Sequence, residues 1–306
     1  MLSARRRSGD REAKGVEGLN ALLETVHRLL EGRERWRAEA KRRGLLSVPK
    51  PAPAPALMVV DGAVAEQPTL GVRLYSACAC GLTPSGKEVI LYDGENVGSA
   101  KEVKARMIAL ELALLSALLE EYPEAFALAD GSRISHLSTL SAAGMRVEDW
   151  PKDLPPASWG RDVARSLRLA ITSPRAVFVP KEESGPVQTR GVMALLLEPG
   201  ELYGPRPVEA DLHLGSERYA PGVLRWYYML PSRNVVKLET LRDHPPAEAL
   251  AAIGAMSGYE GVPSFLVLAD RVAKDRAGAG LRLARERLLQ SLPPETLMPL
   301  LGPYRS

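Results

Sequence analysis

Two cysteines, Cys78 and Cys80, and four scattered histidines in 306 residues leave too little material for a disulfide framework or for a zinc site built mainly from Cys and His. If a metal matters in this chain, carboxylates must hold it. Long apolar runs are lacking as well: the longest, such as residues 112–119 and 192–197, fall far short of the roughly 20 that span a bilayer. A membrane protein is therefore not expected. The Arg-rich start, Arg5 to Arg7, leads into neither an apolar segment nor a small-residue cleavage site, so the expected compartment is the cytoplasm. What is there is 45% hydrophobic and 25% charged, enough for one large or two modest domains with a substantial core. The net charge of +3 is uneven, because residues 1–50 hold 13 Lys or Arg against 7 Asp or Glu. Such a basic segment suits a phosphate backbone or an acidic protein surface, and equally a solvated helix with no partner.

From Gly18 to Arg43, the residues Leu19, Leu22, Leu23, Val26, Leu29 and Leu30 recur at spacings of three and four among charges, which predicts an amphipathic helix. Its narrow apolar stripe wants a partner, whether the body of the chain, a second copy or another protein. Alternating prolines over residues 49–55 bar both helix and sheet ladder and mark a stiff linker. Beyond it, residues 56–62 read as a buried strand stopping at the Asp61-Gly62 turn. Strands at 71–80 and 88–92, a long helix at 101–121 and a strand at 125–131 closing on Asp130-Gly131 complete a β-β-β-α-β order. Residues 141–160 read as a loop, 161–171 as a helix, and 176–179, 191–197, 223–230 and 235–238 as strands. Residues 247–257 read as a helix, 264–269 as an apolar run, and 270–290 as a basic helix opened by Asp270.

Four acids stand out. Asp61 and Asp130 each end an apolar strand; alone each reads as turn chemistry, but on neighbouring strands their ends converge. Glu111 is the one charge between Met107 and Leu119, flanked at helical spacing by Met107, Ile108, Leu114 and Leu115. A buried carboxylate costs several kcal/mol unless paired or bound to metal, so it needs either a basic partner such as Arg106 or a cation shared with Asp61 and Asp130. Asp270 reads as a helix N-cap or as a fourth member of that set. Brought together, such acids are hard oxygen ligands for Mg²⁺ or Mn²⁺, and two ions would activate water and stabilise the leaving oxygen of a phosphodiester.

The residues Val59-Val60-Asp61-Gly62, then Arg106 with Glu111, then Leu128-Ala129-Asp130-Gly131-Ser132 follow one another in this order. Residues 177–181, 225–230 with 236–239, and 258–270 continue it. Together they resemble the ribonuclease H-like superfamily and, more narrowly, the NurA family of prokaryotic DNA-end-processing nucleases. The resemblance covers nearly everything after the linker. It implies an α/β fold: a ribonuclease H-like mixed sheet flanked by helices, with an N-terminal helical extension. Residues 1–50 would be the basic helical segment and linker, and residues 51–306 the nuclease domain with a mid-chain insertion. It further implies exonuclease and endonuclease action on DNA with Mn²⁺ or Mg²⁺, as two ions held by Asp61, Glu111 and Asp130. A homodimer and coupling to a HerA-type hexameric translocase in end resection and recombinational repair complete the implied picture.

Two departures stand against the family pattern. Asp61-Gly62-Ala63 replaces the usual Asp-Gly-Ser, and Asp270 replaces a late His, although an aspartate can still hold Mn²⁺. Lys181, Arg106 and Tyr228 are the expected DNA contacts. Lys181 follows a strand and would meet a phosphate or solvent; of Tyr227 and Tyr228 one is expected in the core and one exposed to stack on a base. Cys78 and Cys80 read as core, and His136, shortly after Asp130-Gly131-Ser132, as a surface or packing residue or as a group near the metal. Two other readings stand: a ribonuclease H-like scaffold that has lost catalysis and serves as a DNA-binding or assembly subunit, and an unrelated enzyme with structural Asp-Gly turns.

Overall fold

The computed structural model describes residues 2–68, 73–150, 154–180, 189–208, 212–219, 224–231, 234–241, 245–257, 261–291 and 293. A long helix, α1 (Leu2–Arg42), precedes a short strand, β1 (Leu46–Ser47). Past the prolines, β2 (Leu57–Pro68), β3 (Arg73–Leu82) and β4 (Glu88–Gly98) form an antiparallel meander. Ser99 then starts α2 (Ala100–Glu121) with a capping box: the Glu102 N–H donates to the Ser99 side chain, and the Ser99 N–H donates to the Glu102 carboxylate at 2.7 Å. The helix is apolar on nearly every side, which suits burial between the sheet and further helices.

Strand β5 (Phe126–Asp130) lies parallel to β2, and is followed by α3 (Arg133–Ala142), α4 (Val163–Thr172) and β6 (Ala176–Val179), parallel to β5. The rest comprises α5 (Thr189–Leu196), β7 (Leu202–Val208), β8 (Leu212–Leu214), β9 (Glu217–Tyr219), β10 (Leu224–Met229), β11 (Val236–Leu241), α6 (Ala247–Ala255) and α7 (Ser264–Ser291). Nine strands make one sheet in the order β1-β7-β10-β11-β6-β5-β2-β3-β4, while β8 and β9 pair separately. Helices α2, α3 and α4 bury one face through Leu110, Leu114, Leu137, Leu167 and their neighbours. Helices α6 and α7 bury the other through Leu250, Ile253, Leu266 and a row of small residues, Ala269, Ala273 and Ala277, that lets α7 lie close on β2 and β3. No helix among the described residues is long and apolar enough to cross a membrane.

The last turns of α1 are tied to this body. Arg37 donates twice to the Glu201 carboxylate, at 2.6 Å each, with both side chains buried, and again to the Leu196 carbonyl at 3.1 Å. Burial pushes the Glu201 carboxyl up, but the Arg37 bonds outweigh it and hold the group below the usual carboxylate range. Trp36 packs on Tyr203 with ring centroids 5.1 Å apart, and β1 pairs with β7, so the N-terminal segment joins the sheet directly. Further up the helix Leu22, Leu23 and Leu30 are exposed.

Three expectations need correction. β2 does not stop at Asp61-Gly62, because β3 pairs with it as far as Pro68, Asp61 facing Cys80 and Gly62 facing Ala79. The run 191–197, apolar without period, is largely helix (α5) rather than strand. The run 264–269 is the start of α7 itself, so Asp270 stands inside the helix instead of opening it. Cys78 and Cys80 do lie in the core, on the α7 side, where burial pushes their thiols up to about 12 and about 11. Neither thiol is expected to react with a chromogenic disulfide reagent at about pH 8 in the native protein, and both should react on unfolding. A fast native reaction of either would contradict their placement.

Candidate active site

Parallel pairing sets the site. Val59 pairs with Leu128 and Val60 with Ala129, so Asp61 and Asp130 occupy the next step of the same register on adjacent strands. Helix α2 crosses above them and presents Lys104, Met107, Ile108 and Glu111, one face at spacings of three and four, to a cavity of about 480 Å³. Asp61, Glu111 and Asp130 all line it, with Gly62, Gly131, Ser132, Ser135, His136, Thr139 and Pro180. Asp61 and Glu111 are each 2% exposed. Gly62 explains how strand and helix come so close: a Cβ there would stand 3.2 Å from Glu111 Oε2 and 3.0 Å from Met107 Cγ. A side chain in that place would press on the carboxylate.

The opposite wall is the first turn of α3. Gly131 has φ +78°, the left-handed region that glycine adopts freely, and turns the chain directly after Asp130. Ser132 caps the helix reciprocally with Ser135, which leaves the positive end of the helix dipole beside the cavity. His136 Nε2 lies 3.3 Å from Glu111 Oε1. Burial pushes the imidazole down to about 4, so near pH 7 the ring is neutral and carries one proton, which in the Nε2–H tautomer is donated to the Glu111 carboxyl group.

Beneath this turn, Arg133 is fully buried. Its backbone N–H donates to Glu239 Oε1 at 2.9 Å, while its guanidinium serves the carbonyls of Ile171, Ser173, Ala176 and Glu239. Its Cζ sits 4.3 Å above the centre of the Phe178 ring, and Trp226 Nε1 donates to the other Glu239 oxygen at 3.2 Å. Burial pulls the Arg133 guanidinium down to about 10, against the opposing pull of Glu239, and still leaves it charged.

The remaining expected residues are placed differently. Asp270 is not among the lining residues and accepts from Lys274 Nζ at 2.7 Å, one turn along α7. Arg106 pairs with Asp93 of β4 at 3.2 Å. Tyr227 and Tyr228 are both buried, Tyr228 completely, because β10 is an interior strand packed on both faces; the exposed stacking position expected of Tyr228 is absent. Lys181 lies outside the described residues. Arg133 and Glu239 are the polar groups of the site that sequence reasoning missed, while His136, read there mainly as surface or packing, lies buried against Glu111 and Phe178. One signal was available for Glu239: it is the one carboxylate in the strand-like run 235–241, whose other polar members are Lys237 and Thr240.

Among the described residues, no group of three or more His, Cys, Asp or Glu side chains is arranged to hold one ion. The donor set nevertheless fits a hard divalent cation in its chemistry, since three carboxylates line one cavity and glycine at 62 puts no side chain against Glu111 Oε2.

No protein-family model matches the chain, and no curated protein matches it. Solved structures do. The NurA nuclease from Sulfolobus solfataricus superposes with a TM-score of 0.58 at 14% identity, over 92% of this chain and 98% of its own. A NurA with manganese gives 0.51 at 13% identity, over 85% and 94%. A NurA bound to dAMP and manganese gives 0.50 at 12% identity, over 85% and 93%. At such identities the likeness is one of fold: this chain has the ribonuclease H-like α/β fold of the NurA structures.

Proposed function

We propose that this chain is a divalent-metal-dependent deoxyribonuclease in which Asp61, Glu111 and Asp130 hold Mn²⁺ or Mg²⁺. The observation that carries the reading is the convergence of these three carboxylates, two from adjacent parallel strands and one from the helix above them, on a single cavity. The shared fold supports it, since one of the structures that has it is a NurA bound to dAMP and manganese. When bound, one or two such cations supply positive charge at the scissile phosphate and acidify an attacking water. The chain's own residues do the placing. Strands β2 and β5 hold Asp61 and Asp130 in fixed register, Gly62 admits α2 close enough for Glu111 to join them, and Lys104 with the positive end of α3 offers charge to phosphate oxygens. Asp270, engaged by Lys274 and outside the cavity lining, is left out of the ligand set.

The substrate proposed is DNA, with Arg106 and Lys181 as further phosphate contacts. A net charge of only +3 gives few phosphate contacts and weak unaided binding. That fits a homodimeric nuclease delivered to broken ends by a HerA-type hexameric translocase during resection, with the exposed leucines of α1 available for dimerisation or docking.

The test is cleavage of end-labelled linear DNA by the full chain and by Asp61→Ala, in Mn²⁺, Mg²⁺ or EDTA, with and without the translocase. Metal-dependent loss of DNA that vanishes in the variant is the expected result. The alternative is a scaffold that binds DNA or partners without cutting. A folded wild type that cuts under none of these conditions would select it.

A further inference from the structure

We infer that His136 is a positioning residue for Glu111: its imidazole fixes the orientation of that carboxylate, and a buried Arg133–Glu239 pair fixes the helix turn that carries the imidazole. The inference rests on the metal-site reading above and assigns a role to groups which that reading does not use. Nε2 of His136 is 3.3 Å from Glu111 Oε1, and the two side chains are 7% and 3% exposed. A glutamate has three rotatable side-chain bonds, so a carboxylate on a helix above a cavity needs an external hydrogen bond to hold one rotamer.

The imidazole in turn has little freedom. Phe178 meets it edge-on, with centroids 5.6 Å apart and planes at 85°. On another side Gly131 makes room for it, since a Cβ there would stand 2.5 Å from His136 Cε1. The same Phe178 ring carries Arg133 on it, and Arg133 bonds β11, β6 and the end of α4 at once. A continuous path of contacts therefore leads from the sheet through Arg133 and the first turn of α3 to His136 and Glu111. Packing alone would be served more cheaply by a phenylalanine or leucine in this slot, because a buried N–H without an acceptor is costly. The ring nitrogen is there for the carboxylate.

The experiment is direct titration of the metal-free full chain with Mn²⁺, free ion being read by electron paramagnetic resonance, for wild type, His136→Ala, His136→Gln, Asp61→Ala and Glu111→Gln. Thermal midpoints without metal are measured alongside. His136→Ala should weaken Mn²⁺ binding about 10- to 100-fold, the usual effect of losing an outer hydrogen bond to a ligand. His136→Gln, whose amide N–H can replace Nε2–H, should recover most of it, and raised Mn²⁺ should restore much of the cleavage lost in His136→Ala. If the alanine variant does not fold, His136→Phe keeps the volume, lacks the donor and should show the same weakening. Unchanged Mn²⁺ affinity in these variants, or no recovery in His136→Gln, would overturn the inference. So would binding lost in Asp61→Ala but unchanged in Glu111→Gln, which leaves the metal site standing without Glu111. A wild type that binds no Mn²⁺ would instead overturn the metal reading, and this inference with it.

Discussion

Asp61→Asn and Asp130→Asn are each expected to lower Mn²⁺-dependent DNA cleavage at least about a thousand-fold, or about 4 kcal/mol of barrier. Neither should lower the metal-free melting midpoint. The amide keeps the shape of the carboxylate but removes a negative charge and turns one hard oxygen ligand into a donor. Three carboxylates line one cavity, so taking one negative charge from it is expected to leave the metal-free fold at least as stable. Mn²⁺ stabilises whatever folded state binds it; wild type should therefore melt higher with Mn²⁺, and the variants should lose that rise. Turnover and melting, each with and without Mn²⁺, check the prediction. An Asp130→Asn protein that still cuts within ten-fold of wild type would remove Asp130 from the proposed ligands.

Arg133→Met should cost about 3–5 kcal/mol in chemical denaturation, the penalty for stranding one member of a buried ion pair. Both partners are fully buried, and the loss extends beyond Glu239, because the carbonyls of Ile171, Ser173 and Ala176 lose their guanidinium donor together. Glu239→Gln should be milder: its amide oxygen still accepts from the Arg133 backbone or from Trp226, and Arg133 keeps its carbonyls. The order of the two variants is the informative part. Equal losses would mean the pair acts by charge alone, and an Arg133→Met protein within about 1 kcal/mol of wild type would contradict its placement.

What the sequence makes legible here is local or singular. The meander, α2, β5 and β6 follow from apolar runs bounded by turn residues, and Glu111 stands out as one charge in an apolar helix. Asp61 and Asp130 are readable as strand-end acids, but only tertiary pairing makes them neighbours. Where reading failed, the deciding partner was distant or the period was missing. Residues 191–197 are apolar throughout and fit strand or helix equally until α1 docks on them. Asp61-Gly62 has turn chemistry, yet ten ladder pairs with β3 override it. Arg133 and Glu239 lie 106 positions apart, and His136 meets Glu111 across 25, so no spacing rule links them. The exposed ring predicted at Tyr228 failed because strand alternation assigns faces without saying that both are covered.

The unequal lengths of β2 and β5 bear on how anything reaches the carboxylates. β5 ends at Asp130, whereas β2 runs on from Gly62 to Pro68, roughly 20 Å further at about 3.3 Å per residue, with β3 and β4 paired alongside. The acids thus sit at the foot of a step, with a three-stranded parapet rising on one side and the capped end of α3 on the other. The two flanks of the acids are therefore unequal: on the β2 side paired sheet continues well beyond them, and on the β5 side the chain gives way at once to the turn into α3.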